Sequence, residues 1–308
     1  MSRTAICTLF EGDYHFGLGA LINSLYNNGF RGSIWAGYRG DLPPWAKSIK
    51  RCGDWVEFYF ADDCLVHFVP LETPLHFTNY KPNFMLDVYK YYCPEVESIF
   101  YFDPDVVIKC DWSFYELWIK YGIALCQEIV WGNMPYNHPV RQAWKESFQG
   151  HNYDFYRDLN QYFNGGFIGL QTKYISVLSL WSELLSEILS LVSQTTGLKR
   201  DKRTDLFYSM DQDALNIMAM ITSHPLSTIG PEGMDFTGGG FTMSHATGHP
   251  KPWQKAMSLS VLNGSNLKLA DKEYWKNVNY PIQVYSPFNL FLKKVDLFCS
   301  TALRRFIR

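Results

Sequence analysis

The stretch SIFYFDPDVVI, residues 98–108, delivers two carboxylates, Asp103 and Asp105, after an apolar run rich in β-formers. Side chains on a strand alternate between faces, so the pair would point the same way and repel unless a cation lay between them. A hard divalent ion is the usual neutraliser. Pro104 has no N–H for a sheet ladder and fits the last residue or exit of a strand, which places the pair at a sheet edge. A plain turn after a strand would also use Asp and Pro for backbone reasons. This stretch alone does not choose between the two.

Three further stretches bear on the choice. In FNGGFIGL, residues 163–170, Gly165 and Gly166 let backbone approach something closely and Asn164 offers both donor and acceptor, although paired glycines are often only a turn. In MDQDALN, residues 210–216, Asp211, Gln212 and Asp213 open an apolar-periodic helix, which is also how an acidic, dipole-favoured first turn reads. In HATGHPKPW, residues 245–253, a possible imidazole ligand at His245 precedes a permissive Gly248 and a cation, Lys251, set between prolines before Trp253. A phosphate-bearing, metal-bound ligand would use all three, since Mn²⁺ accepts both nitrogen and oxygen and lysine meets phosphate as a point charge. His249 stands four residues after His245, but no HExxH pattern or third ligand supports a paired-histidine zinc site. His15, His138 and His151 read as loop or surface residues.

The series FDPDVV, FNGG, DQDALN and HATGHPKPW resembles, in order and spacing, the motifs of family 8 retaining glycosyltransferases, the group of glycogenin and the bacterial lipooligosaccharide galactosyltransferases. That family closes on H-x-x-G-x-x-K-P-W, matched here at every specified position, and the resemblance extends over residues 4–255. It implies a GT-A fold: a single Rossmann-like nucleotide-diphospho-sugar transferase domain, α/β, with a mostly parallel central sheet. Asp103, Asp105 and His245 would then bind Mn²⁺ or Mg²⁺, which holds the donor diphosphate. Lys251 and the Gly248 backbone would contact phosphate oxygens. Thr8, Phe10, Glu11 and Tyr14 match the nucleoside end, while Asn164, Gly165, Asp211 and Gln212 match positions around the transferred sugar, with Asp211 and Gln212 as the catalytic pair. The chain departs from the pattern in its central proline, in the turn EGDY after the first strand, and in Tyr80-Lys81 where many members carry Tyr-x-Arg. Lys81 takes the donor-sugar contact on this reading, and uracil is the expected base. Retention implies attack from the leaving-group face, with a covalent Asp211 intermediate as the alternative.

These residues need a scaffold. Ala5–Phe10 as a buried strand, a helix over Gly17–Asn28 and a strand over Ser33–Gly37 follow βαβ logic. Further strands are expected at 55–60, 66–69 and 98–103, with a helix over 82–93 closed by Pro94. Alternating strands and helices imply a parallel sheet covered on both faces, with ligands beyond its strand C-termini. Residues 127–162 are crowded with Trp, Tyr, Asn, His and Pro and read as an irregular functional loop region. Residues 174–193 read as an amphipathic helix packed on the body, and TTGLKRDKRTD, 195–205, as a solvated loop.

The 308 residues carry a formal net charge of -2 with no basic stripe along the body, which gives no reason to expect nucleic acid as a partner. Seven cysteines without CxxC spacing suit free thiols in a reducing compartment, with Cys7, Cys110 and Cys126 in apolar contexts. The start lacks the pattern of a signal peptide and no run reaches the length of a membrane span, so a cytoplasmic protein is expected. Residues 286–308 begin with Ser and Pro and set Phe288, Phe291, Leu292, Val295, Cys299, Ala302, Leu303 and Phe306 on one face, with Lys293, Lys294, Arg304, Arg305 and Arg308 largely off it. The expected division is therefore a transferase domain over 1–285 and a basic amphipathic tail over 286–308. Such a tail suits the cytoplasmic face of an inner membrane or docking on its own domain. The combined expectation is transfer of a hexose from a UDP-sugar to an oligosaccharide or lipid-linked glycan acceptor, as in lipopolysaccharide or capsule assembly. The alternatives are a sugar-1-phosphate nucleotidyltransferase and a catalytically silent nucleotide-sugar or glycan-binding protein.

Overall fold

The segment TAICTLF carries no charge and no polar face, which suits a strand covered on both sides. In a computed structural model, which describes residues 3–129, 134–151, 153–192, 205–264 and 268–306 (side chains of 304–306 excepted), it forms β1 (Thr4–Glu11). A helix, α1 (His15–Asn27), returns the chain to β2 (Gly32–Arg39), parallel to β1. Next come β3 (Lys50–Cys52), β4 (Trp55–Ala61), β5 (Cys64–Pro70) and α2 (Lys81–Asp87), which continues as a wider turn over Val88–Tyr92. Beyond Pro94 lie β6 (Ser98–Phe102), β7 (Val106–Ile108), α3 (Trp112–Trp118) and β8 (Ile123–Cys126). The second half contributes α4 (Pro139–Ser147), β9 (Phe167–Gln171), α5 (Ser176–Leu191), α6 (Met210–Ile221), β10 (Leu226–Ile229) and β11 (Met243–His245). Three helices close the chain: α7 (Met257–Leu262), α8 (Leu269–Lys276) and α9 (Pro287–Phe306).

The main sheet has the order β10-β8-β9-β6-β1-β2-β5-β4-β3, and only β9 and β4 run against the other strands. This is the mixed α/β, mostly parallel architecture expected of a Rossmann-like glycosyltransferase fold. Strand alternation sorts the core into two layers. Cys7, Leu9 and Tyr101 face α2, α5 and α6 with Trp181, whereas Ile6, Phe10 and Phe100 face α1, α3 and the C-terminal helices with Trp112 and Trp275. Thr172–Leu191 is apolar and long enough to cross a membrane by length and composition, but Leu178, Trp181, Leu185 and Ile188 of this segment are core residues, as the amphipathic reading expects.

Several local expectations change. The acidic pair is not carried on one strand: β6 stops at Phe102, and Val106 N donates to Asp103 O at 3.0 Å to close a turn around Pro104. Backbone curvature therefore brings the two carboxylates together. Residues 127–162 are not wholly irregular, because Pro139 at the first turn and His138, whose Nδ1 accepts from Val140 N at 3.2 Å, start α4 inside them. Cys7 and Cys126 are buried as free thiols, but Cys110 is only half-buried. Of the charged stretch 195–205, all but Asp205 lies outside the described residues. Ser286 caps α9, which docks through Leu290, Leu297, Ser300 and Leu303, and of these only Leu303 belongs to the apolar face read from the sequence. Phe288, Phe291, Leu292, Val295 and Cys299 of that face point outward.

Candidate active site

A cleft of about 390 Å³ opens where β1, β6 and β8 end and β9 begins. Parallel strands converge there with their helices' N-termini, the usual place for a ligand in such a sheet. Phe10, Glu11, Tyr14, Lys81, Asp103, Asp105, Asn164, Gly165, Asp211, Gln212, His245, Gly248 and Lys251 all line it. Thr8 does not: it lies deeper in β1, fully buried, with its Oγ1 unpaired, and Leu9 reaches the wall instead.

The acidic pair meets its histidine through β-pairing. β11 runs antiparallel to β7 with His245 opposite Val106, which sets the imidazole against the neighbouring aspartates. His245 Nε2 stands 3.1 Å from Asp105 Oδ1 and 3.8 Å from Asp103 Oδ2. One ligand atom from each of the three falls within 4.8 Å of the others, the one such cluster among the described residues. The donor set suits a divalent ion that accepts nitrogen and oxygen together. Two further features agree with it. His245 turns Nε2, not the buried and unpartnered Nδ1, toward both carboxylates, so Nε2 is the nitrogen that could meet a cation. A Cβ at Gly166 would lie 2.5 Å from His245 Cε1 and 2.9 Å from Asp103 Oδ2, so only glycine leaves the space between these side chains open.

Two lysines balance the acids. Lys81, 2% exposed, donates to Asp103 Oδ2 at 3.3 Å, to Asp211 Oδ2 at 3.1 Å and to Gly165 O at 2.9 Å, and its Nζ lies 3.0 Å from Asp103 Oδ1. Burial alone would lower its pKa, but the two carboxylates outweigh that and hold it above the ordinary lysine value. Lys251 Nζ pairs with Asp105 Oδ2 and donates to Ala246 O at 2.9 Å. Burial would raise the Asp105 pKa, yet His245 and Lys251 hold it well below the usual carboxylate range. Tyr101 Oη donates to Asp103 Oδ1 at 3.1 Å. Gly248 adopts φ +79°, a left-handed turn between His245 and Lys251 that glycine takes without strain.

The far wall is a chain of amides. Gln212 Oε1 accepts from Gly165 N at 2.8 Å and from Asn164 Nδ2 at 3.2 Å, and Asn164 Nδ2 also donates to Glu128 Oε2. The Gln212 carbonyl is thereby engaged by backbone and Asn164, whereas Asp211 lies on the Lys81 side. Trp181 Nε1 donates to Asp211 O at 2.9 Å and ties this first turn of α6 to α5. Glu128, His76, Tyr162 and Tyr208 also line the cleft and were not singled out in the sequence, and His249, considered there only for a zinc pair, lines it too. Glu128 and Tyr162 fall at the borders of the aromatic-rich stretch, which was their only signal. His76 Nδ1 accepts from Thr78 N at 3.3 Å.

No protein-family model and no curated protein matches the sequence. Among solved structures the chain is similar to the apo structure of the bifunctional glycosyltransferase WbbM, with a TM-score of 0.54 and 15% identity over 95% of this chain. It spans 51% of that chain, about half its length. At this identity the likeness establishes the shared fold.

Proposed function

We propose that the chain is a metal-dependent retaining glycosyltransferase of the family 8 kind, moving a hexose from a UDP-sugar to a glycan acceptor. The observation that carries this reading is the convergence of Asp103, Asp105, His245, Lys251 and Asp211 on one cleft at the ligand-binding edge of the sheet. The fold shared with a solved glycosyltransferase supports it. Asp103, Asp105 and His245 would hold Mn²⁺ or Mg²⁺, which supplies positive charge to a departing diphosphate. Lys251 adds a second positive charge for phosphate oxygens, and Gly248 offers backbone without a side chain in the way. Asp211, held by Lys81, places negative charge where the sugar becomes cationic. Phe10, Glu11 and Tyr14 form the end of the cleft assigned to the nucleoside, and Asn164 and Gln212 the wall assigned to the sugar. The EGDY turn lacks the Gly-rich, basic loop of a nucleotidyltransferase, which favours transfer over that rival.

Incubation with a panel of UDP-sugars and Mn²⁺ is expected to release UDP from at least one donor, with release stopped by EDTA. Donors that bind without any UDP appearing would leave only the silent-binder reading.

We infer in addition that the acceptor is reached at an anionic lipid surface. Leu259 and Leu262 of α7 lie exposed, as do Phe288, Phe291, Leu292, Val295 and Phe298 of α9, so two packed helices present apolar side chains to solvent. Lys294 is exposed on the same helix. An apolar face with an exposed lysine beside it suits a membrane interface. Replacing Phe288, Phe291 and Phe298 together by Ser should weaken binding to phosphatidylserine vesicles by roughly 100-fold or more, at about 1.5–3 kcal/mol per buried side chain, and spare UDP release. Vesicle sedimentation that does not change would exclude this surface.

A further inference from the structure

Both cleft lysines lie against candidate metal ligands, but they are held differently. Lys81 has three acceptors, Asp103, Asp211 and Gly165 O, which fix its ammonium in place. Lys251 has one carboxylate, Asp105, and one carbonyl, Ala246 O, and its ammonium sits 5.5 Å from the centre of the Tyr14 ring on the cleft wall. Its backbone is anchored independently, with Lys251 N donating to Gln254 Oε1 at 2.9 Å and Gln254 donating to Asp13 Oδ2 at 2.7 Å. The loop backbone is thus held by contacts that do not involve the ammonium.

We propose that Lys251 is an internal competitor for the cation: its ammonium holds Asp105 until a diphosphate draws it away, so cation and diphosphate strengthen each other's binding. This rests on the metal reading of Asp103, Asp105 and His245. The physical reason is that an ammonium in contact with Asp105 Oδ2 repels a divalent ion drawn to the same buried carboxylate, and little solvent intervenes to screen the two. A diphosphate offers the ammonium an alternative partner and removes that repulsion. Because coupling between two ligands is reciprocal, the cation must raise diphosphate affinity by the same factor.

The expected signs oppose those of a lysine that only contacts phosphate. In calorimetric or Mn²⁺ paramagnetic titrations without nucleotide, Lys251→Met should bind Mn²⁺ tighter by about 5- to 10-fold than the parent chain. At saturating Mn²⁺ the same variant should bind UDP more weakly, and the factor by which UDP enhances Mn²⁺ binding should shrink. Lys251→Arg keeps the charge and should leave Mn²⁺ affinity close to that of the parent. Lys251→Gln retains a donor for Asp105 and Ala246 O, and serves if circular dichroism shows the Met variant unfolded. A folded Met or Gln variant with equal or weaker Mn²⁺ affinity overturns the competitor role, provided His245→Ala has abolished Mn²⁺ binding. A parent chain that binds no Mn²⁺ overturns the metal reading and this inference together.

Discussion

Asp211→Asn is expected to lower turnover by roughly 10²- to 10³-fold while leaving UDP-sugar affinity within about threefold, a pattern read by comparing kcat with the dissociation constant from calorimetry. The change keeps the side chain's shape and removes only its charge. Lys81 retains Asp103 and the Gly165 carbonyl, so the cleft should not collapse. The first turn of α6 is also held from outside by the Trp181 hydrogen bond to the Asp211 carbonyl. On the proposed reaction, what disappears is negative charge beside a carbon that becomes cationic only as the bond to phosphate breaks, and a group that acts only then changes kcat rather than ground-state binding. Affinity falling as far as turnover would make Asp211 a binding residue and remove it from the chemistry.

Asp105→Ala should act on the other side of the reaction. Asp105 is buried and contacts both His245 and Lys251. Even outer-shell partners of metal ligands are worth 10–100-fold in affinity, so loss of a ligand should weaken Mn²⁺ binding by roughly 100-fold or more. The variant also leaves the buried Lys251 ammonium without a carboxylate, a change that costs about 3–5 kcal/mol of stability. Titrations therefore belong at low temperature, with circular dichroism to show that the chain is folded. Mn²⁺ affinity equal to that of the parent in a folded Asp105→Ala protein would refute the ligand assignment.

The parts of the molecule that could be read in advance share a physical property: their determinants are local. The first βαβ unit follows from an uncharged strand segment, an apolar helix and a second apolar strand close in sequence, and β1, α1 and β2 form within a few residues of their expected bounds. The apolar period of residues 174–193 likewise marked α5. The candidate cation cluster of Asp103, Asp105 and His245 could be picked out because its three members are chemically distinctive residue types. In contrast, His76 and Tyr208 gave no local sign, since what makes them cleft residues is which strand end each lies beside. The helix α4 was hidden among residues whose aromatic and polar composition suggested loop, and its capping depends on the rotamer of His138.

By itself the amino-acid sequence determined the alternation of strands and helices, the order of the motifs, and the residue types able to hold a cation and a phosphate, because propensity and side-chain chemistry are properties of short segments. Only the tertiary structure decided how they meet. The pairing of β11 with β7 brings His245 to carboxylates some 140 residues earlier, the turn at Pro104 rather than strand alternation sets Asp103 beside Asp105, and Lys251 reaches Asp105 across 146 residues. Such contacts exist only once long loops have closed and a sheet edge has been chosen, and no segment of the chain contains that information alone.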